Sequence, residues 1–152
     1  MDYQLRDAHE DDAEAVSKVI LQALRETNAQ DYPPAIIAQV QHSFSPQAVA
    51  ALIRQRQVFV ALAGDRVVGT ASLDANVVRT VFVTPDLHGQ GIGRLLMSRV
   101  EQVARKGGIE VLTVPSSVTA EQFYVKLGFK VVRENYHGEE RTLIMERSLL
   151  SR

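Results

Sequence analysis

The stretch from Val81 to Met97, V-F-V-T-P-D-L-H-G-Q-G-I-G-R-L-L-M, limits what this chain can fold into more than any other. It opens as an apolar strand, Val81 to Val83, which Thr84-Pro85-Asp86 breaks because proline has no N–H for a ladder. Gly89, Gly91 and Gly93 then alternate through a tight loop. Ile92, Leu95, Leu96, Val100 and Val103 follow at helical spacing, so a helix starts inside the glycine run. The first turn of a helix carries N–H groups with no internal partner and the positive end of the dipole. Glycines let that backbone approach an anion with no Cβ in the way. The stretch therefore reads as a cradle for a pyrophosphate, with the main-chain N–H groups of Gly89, Gln90, Gly91, Ile92, Gly93 and Arg94 as donors.

Two familiar phosphate motifs do not fit. G-x-x-x-x-G-K-[ST] needs a lysine after the last glycine, and Arg94 stands there; the third glycine of G-x-G-x-x-G would fall at Arg94 or Leu96. What fits is x-x-x-G-x-G on a strand-to-helix turn, followed later by F-Y-V-K-L-G-F at Phe123 to Phe129. That pair of motifs resembles the GCN5-related N-acetyltransferase (GNAT) family, whose Q/R-x-x-G-x-G/A motif holds the pyrophosphate of acetyl-coenzyme A. His88 takes the place of the family's Q/R, so the resemblance implies a main-chain contact there and no arginine-like clamp.

The rest of the chain was read for its order of elements. Tyr3 to Arg6 forms a short strand, and Val16, Val19, Ile20, Ala23 and Leu24 make the core face of a helix capped by Asp11 or Asp12. Thr27 to Ser45 is mostly loop, in which Pro34 can start a short helix through Ile36, Ile37 and Val40; Ser45-Pro46 begins a second true helix to Arg56. Val58–Leu62, Val67–Leu73 and Val77–Val83 are strands joined by turns at Ala63-Gly64-Asp65 and Asp74-Ala75-Asn76. The glycine-loop helix stops at Gly107-Gly108, Ile109 to Val114 is a buried parallel strand, and Ala120 to Leu127 is a helix stopped by Gly128. Phe129–Arg133 and Thr142–Met145 are the last strands. The order β-α-α-β-β-β-α-β-α-β-β gives an α/β fold, a mixed sheet with helices on both faces and a ligand site at a strand's C-terminal end. The GNAT resemblance covers almost the whole chain and implies that strands four and five splay apart around the pantetheine arm.

Composition sets bounds on partners. At 152 residues, 1–152 is expected to be a single domain, and a net charge of −1 points to no nucleic acid or anionic membrane. With no cysteine there are no disulfides, thiolate metal sites or cysteine nucleophiles. The start M-D-Y-Q-L-R-D lacks a secretory pattern and no window approaches a membrane span, so a cytoplasmic protein is expected. The four histidines, His9, His42, His88 and His137, share no ligand spacing, so no metal is expected, and no G-x-S-x-G elbow marks a serine hydrolase. An apolar strand edge near the C-terminus permits a homodimer.

The resemblance assigns the chemistry. Val81, Phe82 and Val83 offer main-chain groups to pantetheine, with the Val83 N–H as oxyanion donor to the thioester carbonyl. Tyr124 matches the family's general acid, protonating or hydrogen-bonding the departing coenzyme A thiolate. Ser117 stands where the family often has a cofactor-contacting asparagine, and Arg94 can add charge near the phosphates. No acid lies on V-V-R-T-V-F-V, so the base is left among Asp74, Glu110, His88 and water. Acetyl-CoA as co-substrate and a small-molecule or peptide primary amine as acceptor follow. The rival is a non-catalytic acyl-CoA sensor. Tyr32 and His42 are candidates to line the acceptor pocket.

Overall fold

The computed structural model describes residues 2–28, 33–138 and 140–150; Asp31 and Tyr32 lie outside them. Strand β1 (Gln4–Asp7) leads into helix α1 (Ala13–Ala23), which runs on into a π-helical turn, Leu24–Asn28. Helices α2 (Pro34–His42) and α3 (Pro46–Gln55) follow, then a meander of β2 (Gln57–Ala63), β3 (Arg66–Asp74) and β4 (Val77–Val83). After the glycine loop come α4 (Ile92–Lys106), β5 (Val111–Ser116), α5 (Glu121–Lys126), β6 (Lys130–His137) and β7 (Glu140–Ser148). The strands form one mixed sheet of order β1-β2-β3-β4-β5-β7-β6. One core cluster, with Val100, Leu96 and Met145, lies under α4 and α5; the other, with Val16, Ile20 and Val49, lies under α1 and α3.

The short helix that Pro34 can start is present as α2 and adds one helix to the expected order β-α-α-β-β-β-α-β-α-β-β. Pro33, extended at ψ 153, precedes Pro34 at the first helical position, and the helix then runs to His42. None of its residues is buried, so the apolar period that betrays α1 is weak here. Asp12, an expected cap of α1, does other work: its carboxylate takes both Arg6 guanidinium nitrogens, at 2.8 and 3.1 Å, and the His9 N–H at 2.8 Å.

Strands β4 and β5 run parallel and pair only at Val77 and Thr113, where the Thr113 N–H donates to Asn76 O at 3.0 Å. N–H groups alternate sides along a strand, so the next β5 amide facing β4 belongs to position 115. That position is Pro115, which has no N–H. Beyond the first link the two strands therefore have nothing to zip with, and they diverge. The strand expected over Ile109 to Val114 instead runs from Val111 to Ser116; Pro115 is tolerated inside it because its missing donor faces the gap, while β7 pairs the other edge through Ser116.

A bulge re-aims β4. Thr70 pairs with Phe82 and Ser72 with Arg79, leaving Thr80 and Val81 opposite Ala71, and Thr80 takes φ 54. The extra residue reverses the alternation of faces. Val78, Val81 and Val83 pack toward α4, whereas Phe82 packs with the α1–α3 cluster, its ring 6.4 Å from that of Phe44. Helix α4 lies close on the sheet because β3 carries Gly69 beneath it. A Cβ there would meet Ile92 Cγ2 and Leu96 Cδ1, each at 3.0 Å.

The turn from β4 into the glycine loop is clasped by side chains. Arg66 donates to both Asp86 oxygens, at 2.9 and 3.1 Å, and the Thr84 hydroxyl donates to Asp86 at 2.6 Å. The Arg66 guanidinium first, then the Thr84 hydroxyl, hold the Asp86 carboxyl down at about 2. A depressed carboxylate stabilises the fold above its unfolded pKa, near 4, and that contribution fades as pH falls toward 2. Asp86→Asn should therefore lower Tm at pH 7, with the gap to wild type narrowing below pH 4 and closing near pH 2. A gap that stays constant across that range would show the clasp contributes nothing through charge.

Candidate functional site

The divergence of β4 and β5 opens a cleft of about 1010 Å³ running from the glycine loop to the α1–α3 face. At one end the loop turns on Gly89, φ 82, and Gly91, φ 84, a left-handed region that side chains other than glycine's rarely adopt. A Cβ at either would meet nothing within 4 Å among the described residues, so they leave the space over the loop open. Gly91 is the N-cap of α4, and no side chain caps the helix. The first-turn amides thus face the cleft with the helix dipole behind them, a fit for a diphosphate. Gly93 is glycine for another reason: a Cβ there would come within 3.1 Å of the Phe123 ring.

The predicted residues gather here with different tasks. Val81, Phe82, Val83, His88 and Arg94 border the cleft, as do the three loop glycines, whereas Gln90 is exposed beside it. Ile92 also borders it, but its side chain is 1% exposed and belongs to the core, leaving only its N–H for a ligand. The Thr84 N–H donates to Val68 O at 2.8 Å, so Thr84 bonds across to β3 and Val83, one residue earlier, turns its N–H and C=O away from β3 into the cleft. Its carbonyl is engaged by the His88 ring Nε2 at 3.1 Å. Phe82 by alternation spends its main chain on Thr70 of β3.

Tyr124 stands on α5, between the rings of Phe123 and Phe129 at 5.1 and 5.6 Å, both edge-on. It is 5% exposed and borders the cleft, and among the described residues no hydrogen bond engages its hydroxyl. Burial pushes the phenol above its ordinary pKa, so it holds its proton through the whole physiological range. Ser117 Oγ accepts the Ala120 N–H at 3.2 Å, serving the turn that starts α5.

Of the three candidate bases, His88 alone borders the cleft. Asp74 is ion-paired to Arg79 at 3.5 Å and Arg56 at 4.0 Å, and Glu110 is exposed ahead of β5. Among the described residues no aspartate or glutamate lines the cleft, while Arg56, Arg79, Arg94 and Lys126 do. Arg56, Arg79 and Lys126 are not among the site residues that the sequence points to. For Arg79 a signal was available, a lone cation in the apolar strand V-V-R-T-V-F-V. Among the described residues no cluster of three potential metal-ligating side chains occurs, and no helix is long and apolar enough to cross a membrane.

A mixed sheet split beside an uncapped, glycine-lined helix start leaves room for a long ligand that carries a diphosphate at one end. The family model described as "Acetyltransferase (GNAT) domain" matches residues 7–144, and the chain belongs to that family, the acetyl-CoA-dependent N-acetyltransferases. Among curated relatives it is 26% identical over 134 residues to the uncharacterized N-acetyltransferase YafP of Escherichia coli (strain K12), covering 86% of this chain and 83% of that one. Among solved structures, a GCN5-related N-acetyltransferase from Rhodopseudomonas palustris superposes with a TM-score of 0.90 at 23% identity, covering 97% of this chain and 96% of the other. PaiA N-acetyltransferase from Thermoplasma acidophilum, solved with coenzyme A, gives 0.83 at 23% identity, covering 97% and 99%. The yncA protein of Salmonella typhimurium, solved with acetyl-CoA, gives 0.76 at 20%, covering 99% and 95%.

Proposed function

We propose that this protein, acting as a single domain, transfers the acetyl group of acetyl-CoA to a primary amine by direct attack in a ternary complex. The observation that carries this reading is the parted β4–β5 pair, with the Val83 N–H turned into the gap and the glycine loop open at its mouth. Related folds solved with coenzyme A or acetyl-CoA support it.

Acetyl-CoA supplies an acyl group already activated as a thioester. The loop amides and the α4 dipole hold the diphosphate, with Arg94 and Lys126 adding positive charge along the same end. Val83 donates its N–H toward the thioester oxygen, where negative charge grows as the amine adds. The C–N bond forms, the C–S bond breaks, the amine gives up a proton and the thiolate leaves. Tyr124 meets that thiolate with its hydroxyl. Because burial raises the phenol's pKa, complete transfer of its proton to a thiolate of pKa near 8.5 is uphill. Its part is a strong hydrogen bond to sulfur. The proton from the amine leaves through His88 or water, since among the described residues no carboxylate reaches the cleft.

Release of free thiol, followed across a panel of amines, tests this. Amine-dependent turnover is the expected result; tight acetyl-CoA binding with no turnover on any amine would favour the sensor instead.

A further inference from the structure

We infer that the acceptor amine carries an anionic oxyacid group of its own, a carboxylate or phosphonate, and that Arg56 and Arg79 seat it at the α1–α3 end of the cleft. This rests on the acetyl-transfer reading above.

The four cations of the cleft fall into two pairs. Arg94 is on the first turn of α4, and Lys126 is on α5, whose Phe123 packs against Gly93 of the glycine loop. Arg79 pairs with Ser72 and Val83 with Gly69, three residues apart on β3, so Arg79 lies roughly 10 Å back along β4 at 3.3 Å per residue. It follows Val78, which packs toward α4, so its side chain leaves from the opposite face. Arg56 ends α3 on that same face and donates to Thr80 Oγ1, on the bulge, at 3.2 Å. A diphosphate held at the loop accounts for the first pair and not for the second.

The second pair is under-compensated. Asp74 is the carboxylate facing it among the described residues, at 3.5 Å from Arg79 Nε and 4.0 Å from Arg56 Nε, and it is 48% exposed, so solvent screens it. Arg79 Nε is buried with no hydrogen-bond partner among the described residues, the Asp74 approach being an ion-pair contact. Burial, then the neighbouring Arg79 charge, pull the Arg56 pKa down, with Asp74 opposing. Two guanidiniums around one screened carboxylate leave a positive charge over, and their planar forks match a carboxylate or phosphonate. Such a pair would repel a simple alkylammonium. It would hold an amine that brings an anion with it. Leu24, Val40 and Phe44 border the same end, so the part of the acceptor between its charges is apolar.

The test compares acceptors of equal chain length on the full protein: alkylamines, ω-amino acids, their amides, and aminoalkylphosphonates. Thiol release should give the anionic members a kcat/KM at least tenfold above the alkylamine and the amide, mostly through KM. The carboxylate and phosphonate arms identify which oxyanion fits. In Arg56→Gln and Arg79→Gln that ratio should fall toward one, and Arg79→Lys should keep part of it. Equal or better use of the neutral amines by the wild-type protein overturns the inference while leaving acetyl transfer intact, and it needs no variant to fold. If no amine turns over, calorimetry with 6-aminohexanoate on the coenzyme A-loaded protein separates the two ideas. Binding lost in both glutamine variants upholds the seat and sinks the transferase reading; no binding sinks both.

Discussion

Gly91→Val should cut acetyl-CoA affinity by at least 10²-fold while the protein stays folded. Position 91 holds φ 84 at the mouth of α4, where a β-branched residue costs about 1–3 kcal/mol in backbone strain. A domain stabilised by about 5–15 kcal/mol survives that loss. The ligand does not, because relaxing the strain swings the Gly91 and Ile92 amides away from the diphosphate. Each charge-assisted hydrogen bond is worth about 1.5–3 kcal/mol, so losing two reaches the stated factor. Calorimetric titration with coenzyme A, beside a melting curve, reads both effects. Affinity within tenfold of wild type would mean that the anion is held elsewhere. Gly93→Val is the poorer probe, since its side chain would strike the Phe123 ring and disturb packing as well as the ligand.

Tyr124→Phe should lower kcat by roughly 10- to 150-fold and leave coenzyme A affinity and Tm close to wild type. The figure is that of one hydrogen bond to a charged group, about 1.5–3 kcal/mol, made only as the thiolate departs. The ring stays in place between Phe123 and Phe129, and no hydrogen bond to a described residue is lost with the hydroxyl. Because burial raises the phenol's pKa, wild-type kcat should also show no alkaline fall near pH 10 owing to this residue. A variant as fast as wild type would reduce Tyr124 to a packing residue.

Much of this was legible because the sequence declares it locally. Short apolar runs between turn residues marked the meander, and a change to helical period inside Gly89–Gly93 marked the glycine-loop helix, both set by neighbours a few positions apart. Strand β6 shows the opposite case. It was expected to end at Arg133 and runs to His137, because K-V-V-R-E-N-Y-H is exposed throughout and has no buried face to give it a period. Its extent is set by pairing with β7, including a shift between Val131 and Arg133 that no local pattern announces. The cation pair was hidden for a similar reason. Arg79 stands out alone as a cation in an apolar strand, but Arg56 reads as an ordinary helix end, and the two share one carboxylate only after α3 docks beside β4.

Gly69 has a consequence for reach. In the proposed complex, the helix that would grip the diphosphate rests on β3 at Gly69 across a shim of zero thickness. Even one added methyl would press on two side chains at 3.0 Å and lift the grip by a few tenths of an ångström. In that complex the length of tether that fits would thus be gauged at a β3 backbone position directly beneath α4.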